Sequence, residues 1–171
     1  AVFCSDLAPL LIALNATAGV SGPEGSRSMR LPELYSNDGA RHLALKTGEL
    51  LTEVRIPYVP GRRSAHVKFR HRTAIDFPLV NAGIGLEVSQ DLICTDLRII
   101  VGAIASAPFD AKEISGNVVG KRLTEEVIDS VAEEVSTLVH PMPNIDGSVS
   151  YRKRLVRVLV KRALQEAALQ P

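Results

Sequence analysis

The chain has 171 residues, 46% of them apolar, which is enough for one ordinary domain or two small ones with a real core. Twenty basic against nineteen acidic residues give a net charge of +1, so no global field favours nucleic acid, an anionic membrane or an acidic substrate. Two cysteines, Cys4 and Cys94, cannot supply a four-cysteine zinc or iron–sulfur site, and a reduced, cytoplasmic setting is the default. The opening AVFCSDLAPLLIALNA has no basic start and is interrupted by Asp6, which fits neither a signal peptide nor a membrane span.

From Asp6 onward the spacing of Leu7, Leu10, Leu11 and Leu14 predicts a helix ending near Asn15, with Asp6 as N-cap and Pro9 at the third helical position. GVSGPEGSRS (19–28) is turn chemistry between two short segments and predicts a hairpin; LPELY predicts one helical turn, and SNDGA a loop. Leu50, Thr52, Val54 and Ile56 alternate with Leu51, Glu53 and Arg55, a strand that Pro57 ends. Leu51 is the apolar residue on the otherwise charged face, so a helix, a partner or a flat ligand is expected to cover it. PYVPGRR (57–63) has the composition of a domain boundary.

Ala65, Val67 and Phe69 predict a further strand leading into the polar connection RHRTAIDFP. After it, Val80, Ala82, Ile84, Leu86 and Val88 alternate with Leu79, Asn81, Gly83, Gly85 and Glu87, the period of a strand with one buried face. SQDL (89–92) connects it to a third strand carrying Leu97, Ile99, Val101, Ala103 and Ala105, giving a three-stranded antiparallel sheet. A short helix near residues 111–114 follows. Thr124 caps the next helix, with Glu125 and Glu126 in its first turn and a stripe of Val127, Ile128, Val131, Val135 and Leu138. HPMPN (140–144) stops it. A last helix from about Ser148 carries a wide band of Leu155, Val156, Leu159, Val160, Ala163, Leu164 and Ala167, so helices and sheet form an α+β layer.

No P-loop, G-x-G-x-x-G, H-E-x-x-H or nucleophile with a nearby base is visible, so the residues alone offer no self-contained catalytic centre. A flavoprotein needs none of these, because the cofactor carries the chemistry. His66, His71 and His140 lack the spacing of metal ligands and read as solvated or structural. The basic run YRKRLVRVLVKR (151–162) spreads around a helix with an apolar band and reads as a solvated amphipathic face rather than a nucleic-acid site.

Three blocks carry a resemblance: SDLAPLLIAL (5–14), GELLTEVRIP (48–57) and K-x-R-x-R-x-A-I-D-F-P-L-V from Lys68 to Val80. Together they resemble the FAD-binding medium subunit of the molybdenum hydroxylases, the family of xanthine dehydrogenase, carbon monoxide dehydrogenase and 4-hydroxybenzoyl-CoA reductase. AVFCSDLAP followed by NDGARHLALKTGELLTEVRIP looks most like the 4-hydroxybenzoyl-CoA reductase type, which has an extra [4Fe-4S] insertion ahead of the SDLAP block. The resemblance implies the carboxy-terminal portion of such a subunit: the end of a PCMH-type FAD-binding domain over residues 1–60, then a CO dehydrogenase flavoprotein C-terminal-like domain over 61–171. It also implies FAD passing electrons to or from iron–sulfur clusters on a small [2Fe-2S] partner subunit, with a molybdopterin-binding large subunit as the other partner. The glycine-rich segments that hold the FAD pyrophosphate in the family are missing from these residues, so this chain alone is expected neither to retain FAD nor to be catalytically active.

Residue by residue, the resemblance places Asp6, Leu51 and Lys68 at the FAD site and Asp76 close to it. Each has a plainer alternative in the sequence: a helix N-cap for Asp6, ordinary packing for Leu51, a solvated polar face shared with His66 and Arg70 for Lys68, and turn formation for Asp76. The competing functional class is a non-catalytic docking module that uses the sheet and last helix without bound flavin.

Overall fold

The computed structural model describes residues 2–73, 75–143 and 146–170. Ala74 of the K-x-R block and Asn144 of the HPMPN stop lie outside the described residues. The chain opens with α1 (Ala8–Ala13), then β1 (Thr17–Gly22) and β2 (Gly25–Arg30), a hairpin turning at Pro23 and Glu24, and a 3-10 turn over Leu31–Leu34. β3 (Leu50–Arg55) returns to pair antiparallel with β1, giving a small sheet of order β2-β1-β3. The second sheet is made by β4 (Arg63–Phe69), β5 (Val80–Val88), β6 (Cys94–Gly102) and β7 (Phe109–Asp110), all antiparallel in that order. α2 (Lys112–Val118), α3 (Glu125–Leu138) and α4 (Val149–Ala168) complete the chain.

The α+β architecture of a hairpin sheet, a second antiparallel sheet and covering helices matches the pattern of the sequence, with several local corrections. The third strand of the large sheet stops at Gly102 rather than Ala105, because Ala103 adopts a left-handed φ of 62° that ends regular pairing. The chain then turns back and adds β7 as a two-residue fourth strand. Leu138 is exposed at the end of α3, so the buried stripe there is Ile128, Val131, Ala132, Val135 and Ser136. Thr124 caps α3 as expected, its hydroxyl accepting from the Val127 N–H, and Ser148 caps α4 in the same way through the Tyr151 N–H.

One face of the large sheet packs against α2 and α4, and α3 packs on those two helices in the same apolar cluster. Ala65, Val80, Ala82, Ile84, Leu86, Leu97, Ile99 and Val101 meet Val156, Leu159, Val160, Ala163 and Leu164 in a single apolar cluster. Burying this many branched side chains is the main stabilising term, at about 1.5–3 kcal/mol for each fully buried Val, Leu or Ile side chain. The end of α4 is tied to the start of β4: Arg63 Nη1 donates to the Ala168 carbonyl at 2.9 Å, and Gln170 exchanges two hydrogen bonds with the Ser64 backbone.

The basic run on α4 is only partly solvated. Arg152 is fully buried, its guanidinium donating to the carbonyls of Met142, at 2.7 Å, and Ala103, so it fastens the α3–α4 connection to the end of β6. Lys161 and Arg157 instead form ion pairs with Asp129 and Glu133 of α3.

The opposite face of the large sheet is also covered, although the alternation in β5 reads as one buried face. His66, Lys68, Asn81, Gly83, Gly85, Ile100 and Gly102 share it, by the registers Lys68↔Asn81, His66↔Gly83 and Asn81↔Gly102. The glycines leave a floor on which α1 lies at backbone contact. A Cβ on Gly83 would come within 2.5 Å of Leu10 N and the Pro9 carbonyl carbon, and one on Gly85 would strike the Ala13 carbonyl. α1 joins the two sheets, since Ile12 and Ala13 cluster with Ala16, Ala18, Leu31 and Leu34 on one side and with Ile100 of β6 on the other. Arg62, within the PYVPGRR linker, binds Glu87 through two nitrogens at 2.6 and 3.0 Å, so this connection is clamped to β5.

Candidate functional site

The amino-terminal segment reaches the large sheet through the Phe3 N–H, which donates to the Ala105 carbonyl at 2.8 Å. The capping assignment for Asp6 is corrected here. Leu7 occupies the N-cap position, Pro9 lies at the second helical position, and the hydroxyl of Ser5 accepts from the Leu7 and Ala8 N–H groups at 3.3 and 3.1 Å. Ser5 is the better placed acceptor, and the Asp6 carboxylate is free to turn toward β4. There Lys68 Nζ donates to Asp6 Oδ2 at 2.5 Å and to the Asp76 carbonyl at 3.1 Å.

Lys68 is therefore not a solvated residue. Its side chain is 14% exposed against 51% for Asp6, because β4 presents it to the side that α1 covers. Its partner His66 on the same face is half-buried, and burial pushes the imidazole pKa below its ordinary value, with Lys68 adding to the lowering while Asp6 and Glu166 oppose it.

The connection after β4 is built around Asp76. Its carboxylate accepts from the Arg72 N–H at 3.0 Å, the Arg72 guanidinium at 3.3 Å and the Phe77 N–H at 3.0 Å. The hydrogen bond from the Arg72 side chain, with the backbone donors behind it, holds the carboxyl below the usual carboxylate range. Asp76 thus performs the turn role, while its carbonyl contributes to the Lys68 corner. The turn projects two apolar side chains with no cover: Ile75 is 96% exposed and Phe77 is also open. With Leu7 they line a cavity of about 520 Å³ whose polar rim is Ser5, Asp6, Arg72 and Asp76. A second cavity of about 390 Å³ lies on the other side of Asp76 and Phe77, against Cys4, His71, Pro78, Leu79 and Asp146.

Leu51 is not among the residues lining either cavity. It sits in β3 opposite Val20 and is 44% exposed. The alternation in β3 promises one buried face, yet every residue of the strand is exposed, because β3 is the outer strand of its sheet and nothing among the described residues packs on it. Among the described residues there is no group of three or more His, Cys, Asp or Glu side chains placed to hold a metal, and no helix is long and apolar enough to cross a membrane.

The structure therefore brings Asp6, Lys68 and Asp76 together and leaves Leu51 apart. Ser5 and Asn81 are the residues the sequence argument misses. Asn81 Nδ2 donates to the Ser5 carbonyl at 2.8 Å, and its visible signal was a lone amide within an apolar strand. The arrangement offers an ammonium group with donors, two carboxylates, and uncovered apolar walls. That set fits the flavin end of FAD, whose ring is flat and apolar on its faces and carries hydrogen-bonding atoms on its edge.

Comparison with known proteins bears on the family and the fold. Residues 1–59 match the family described as FAD binding domain in molybdopterin dehydrogenase, and residues 65–167 match the CO dehydrogenase flavoprotein C-terminal domain. The chain is 30% identical over 164 residues to the glyceraldehyde dehydrogenase medium chain of Sulfolobus acidocaldarius, covering 96% of this chain and 57% of that one. It is 29% identical to the carbon monoxide dehydrogenase medium chain of Afipia carboxidovorans, covering 95% and 56% respectively. A solved structure of reconstituted CO dehydrogenase from Oligotropha carboxidovorans superposes with a TM-score of 0.86 at 28% identity, over 97% of this chain and 57% of that one. The chain thus spans a little over half the length of the relatives it matches, and it belongs to the family of medium-chain, FAD-binding subunits of the molybdenum hydroxylases.

Proposed function

We propose that the protein is the flavin-binding electron-transfer subunit of a molybdenum hydroxylase complex, and that Asp6, Lys68, Asp76 and Leu51 contribute to its FAD site. The observation that carries this reading is the Lys68 ammonium group bound to Asp6 and to the Asp76 carbonyl, two residues that line the uncovered apolar cavity while Lys68 itself stands behind them. Bound FAD would supply the one- and two-electron chemistry that no side chain here provides. Asp6, Lys68 and Asp76 would hold the flavin end of the group, and the positive charge of Lys68 behind them would favour added electron density on it. Leu7, Ile75 and Phe77 exclude water from its face. Leu51 joins the site only when a group spanning from β3 lies over it, and its exposure leaves room for such cover.

The partners this reading calls for are a molybdopterin-binding large subunit and a small subunit with [2Fe-2S] clusters, in the cytoplasm. The finer likeness to the 4-hydroxybenzoyl-CoA reductase type rests on the AVFCSDLAP and NDGARHLALKTGELLTEVRIP blocks. A division near Pro60 is supported by the two separate sheets and by the limits of the two family matches. The 171-residue chain alone does not retain FAD, since the described site is one open wall.

The test is an absorbance spectrum after mixing with FAD and desalting, for this chain and for the subunit as its gene encodes it. Flavin bound to the encoded subunit and lost from the 171-residue chain supports the proposal. A colourless encoded subunit favours instead the docking module that uses the sheet and last helix; Leu50 and Val54 of β3, with Ile56 and Tyr58 just after it, are further exposed apolar side chains.

A further inference from the structure

Asn81 is fully buried on β5, directly opposite Lys68 and two register positions from His66 on the same face. Its Nδ2 donates to the Ser5 carbonyl at 2.8 Å and lies 3.3 Å from His66 Nε2. A carbonyl can only accept, so the Ser5 contact fixes which end of the amide faces it. An amide nitrogen can only donate, so His66 Nε2 accepts and the ring is the neutral tautomer with its proton on Nδ1. Asn81 Oδ1 has no hydrogen-bond partner among the described residues and is packed against Gly102, where a Cβ would overlap it.

The geometry points to Asn81 as a positioning residue that holds the Asp6 carboxylate at Lys68, and to a proton on His66 as the event that reverses it. This rests on the flavin reading above and deepens it. Ser5 precedes Asp6 directly, caps α1 with its hydroxyl and is anchored by Asn81 through its carbonyl, so the amide sets where Asp6 begins. When His66 gains a proton, its Nε2–H faces the Asn81 N–H groups, and the amide must turn to present Oδ1. That turn pairs the orphaned oxygen and releases the Ser5 carbonyl. The turned amide leaves both the Ser5 carbonyl and its own N–H groups without the partners they have in the observed orientation, so only a charged His66 donating to Oδ1 selects it.

The charges facing His66 are Asp6 from the amino-terminal segment, Lys68 from its own strand and Glu166 from α4, with the neutral Asn81 on β5. Two of these are acids, which brings protonation within reach despite burial. Asp6 belongs to the proposed flavin site itself, so the site and the switch share a carboxylate.

The experiment measures the FAD dissociation constant of the encoded apo subunit by flavin fluorescence between about pH 8 and about pH 5.5, either side of an ordinary histidine. Wild type, Asn81→Leu, His66→Gln and Lys68→Ala are compared, with a thermal melt for each. Gln at position 66 keeps a neutral acceptor that takes no proton in this range. We expect wild-type affinity to fall toward low pH, His66→Gln to hold its high-pH affinity throughout, and Asn81→Leu to bind about tenfold more weakly at high pH, as for one lost hydrogen bond. A His66→Gln profile that follows wild type overturns the switch, and does so even where Asn81→Leu fails to fold. Asn81→Leu with wild-type affinity overturns the positioning role while a weakened Lys68→Ala leaves the flavin reading standing. Wild-type affinity in Lys68→Ala overturns the flavin reading and this inference together.

Discussion

Lys68 Nζ lies 2.5 Å from Asp6 Oδ2 although the two are 62 positions apart in the chain, and the fold delivers both to one corner. β4 presents the lysine, and the glycine floor of β5 lets the Asp6 segment descend onto it. In the encoded subunit Lys68→Ala removes an ammonium donor from the proposed flavin edge. A direct charged hydrogen bond of roughly 1.5–3 kcal/mol corresponds to about ten- to hundredfold in affinity. Leu51→Ala should weaken FAD less than Lys68→Ala, because it trims packing and removes no charge. Titrating both variants with FAD checks the order; a larger loss for Leu51→Ala would move the centre of the site to β3.

Gly83→Ala tests how Asp6 is delivered. The added Cβ would stand 2.5 Å from backbone atoms of Pro9 and Leu10, and backbone cannot rotate aside as a side chain does. α1 must lift, with an overpacking cost of roughly 1–3 kcal/mol and a loss of FAD affinity although position 83 is distant from the cavity rim. Unchanged melting and unchanged FAD binding would show that α1 does not rest on that floor in solution.

Much of this was visible in the sequence. The strand periods, the hairpin, the Thr124 cap and the start of the last helix near Ser148 are local properties, and local chemistry decided them. The Leu7 to Leu14 spacing likewise marked a helix, but it could not show that Ser5 outcompetes Asp6 as a cap, since that depends on Lys68 drawing the carboxylate away. The alternation in β5 hid its second buried face, because glycines there look like weak strand positions until a helix is seen lying on them. Arg152 read as one more basic surface residue, and only the carbonyls of Ala103 and Met142 explain its burial.

Leu159 sits in the band of α4 that covers β4 and β5, and it is almost wholly buried. Leu159→Asp would place a carboxylate in that cluster without a partner. The cost is several kcal/mol against a total stability of about 5–15 kcal/mol, enough to abolish a cooperative melt near room temperature. A melting temperature equal to that of wild type would mean that α4 does not pack on the sheet.

Burial lowers the pKa of His66 in the folded chain, so the unfolded chain takes up the proton first as pH falls below about 6.5. Stability contributed by the neutral ring is intact above that pH and declines as pH drops toward the folded value, below which His66 adds no further loss. Melting curves of wild type and His66→Gln should therefore run in parallel above about pH 6.5 and diverge below it, with wild type losing more. Divergence on the alkaline side would give the shift the opposite sign.

The most direct test of the flavin site is Asp6→Asn in the encoded apo subunit, with the FAD dissociation constant and the melting temperature measured on the same preparation. Ser5, not Asp6, caps α1, so the amide leaves the helix start in place while removing the charge that faces Lys68. The account predicts weaker FAD binding with a melt close to that of wild type. FAD binding at the wild-type level would contradict it and separate the Asp6–Lys68 pair from the cofactor.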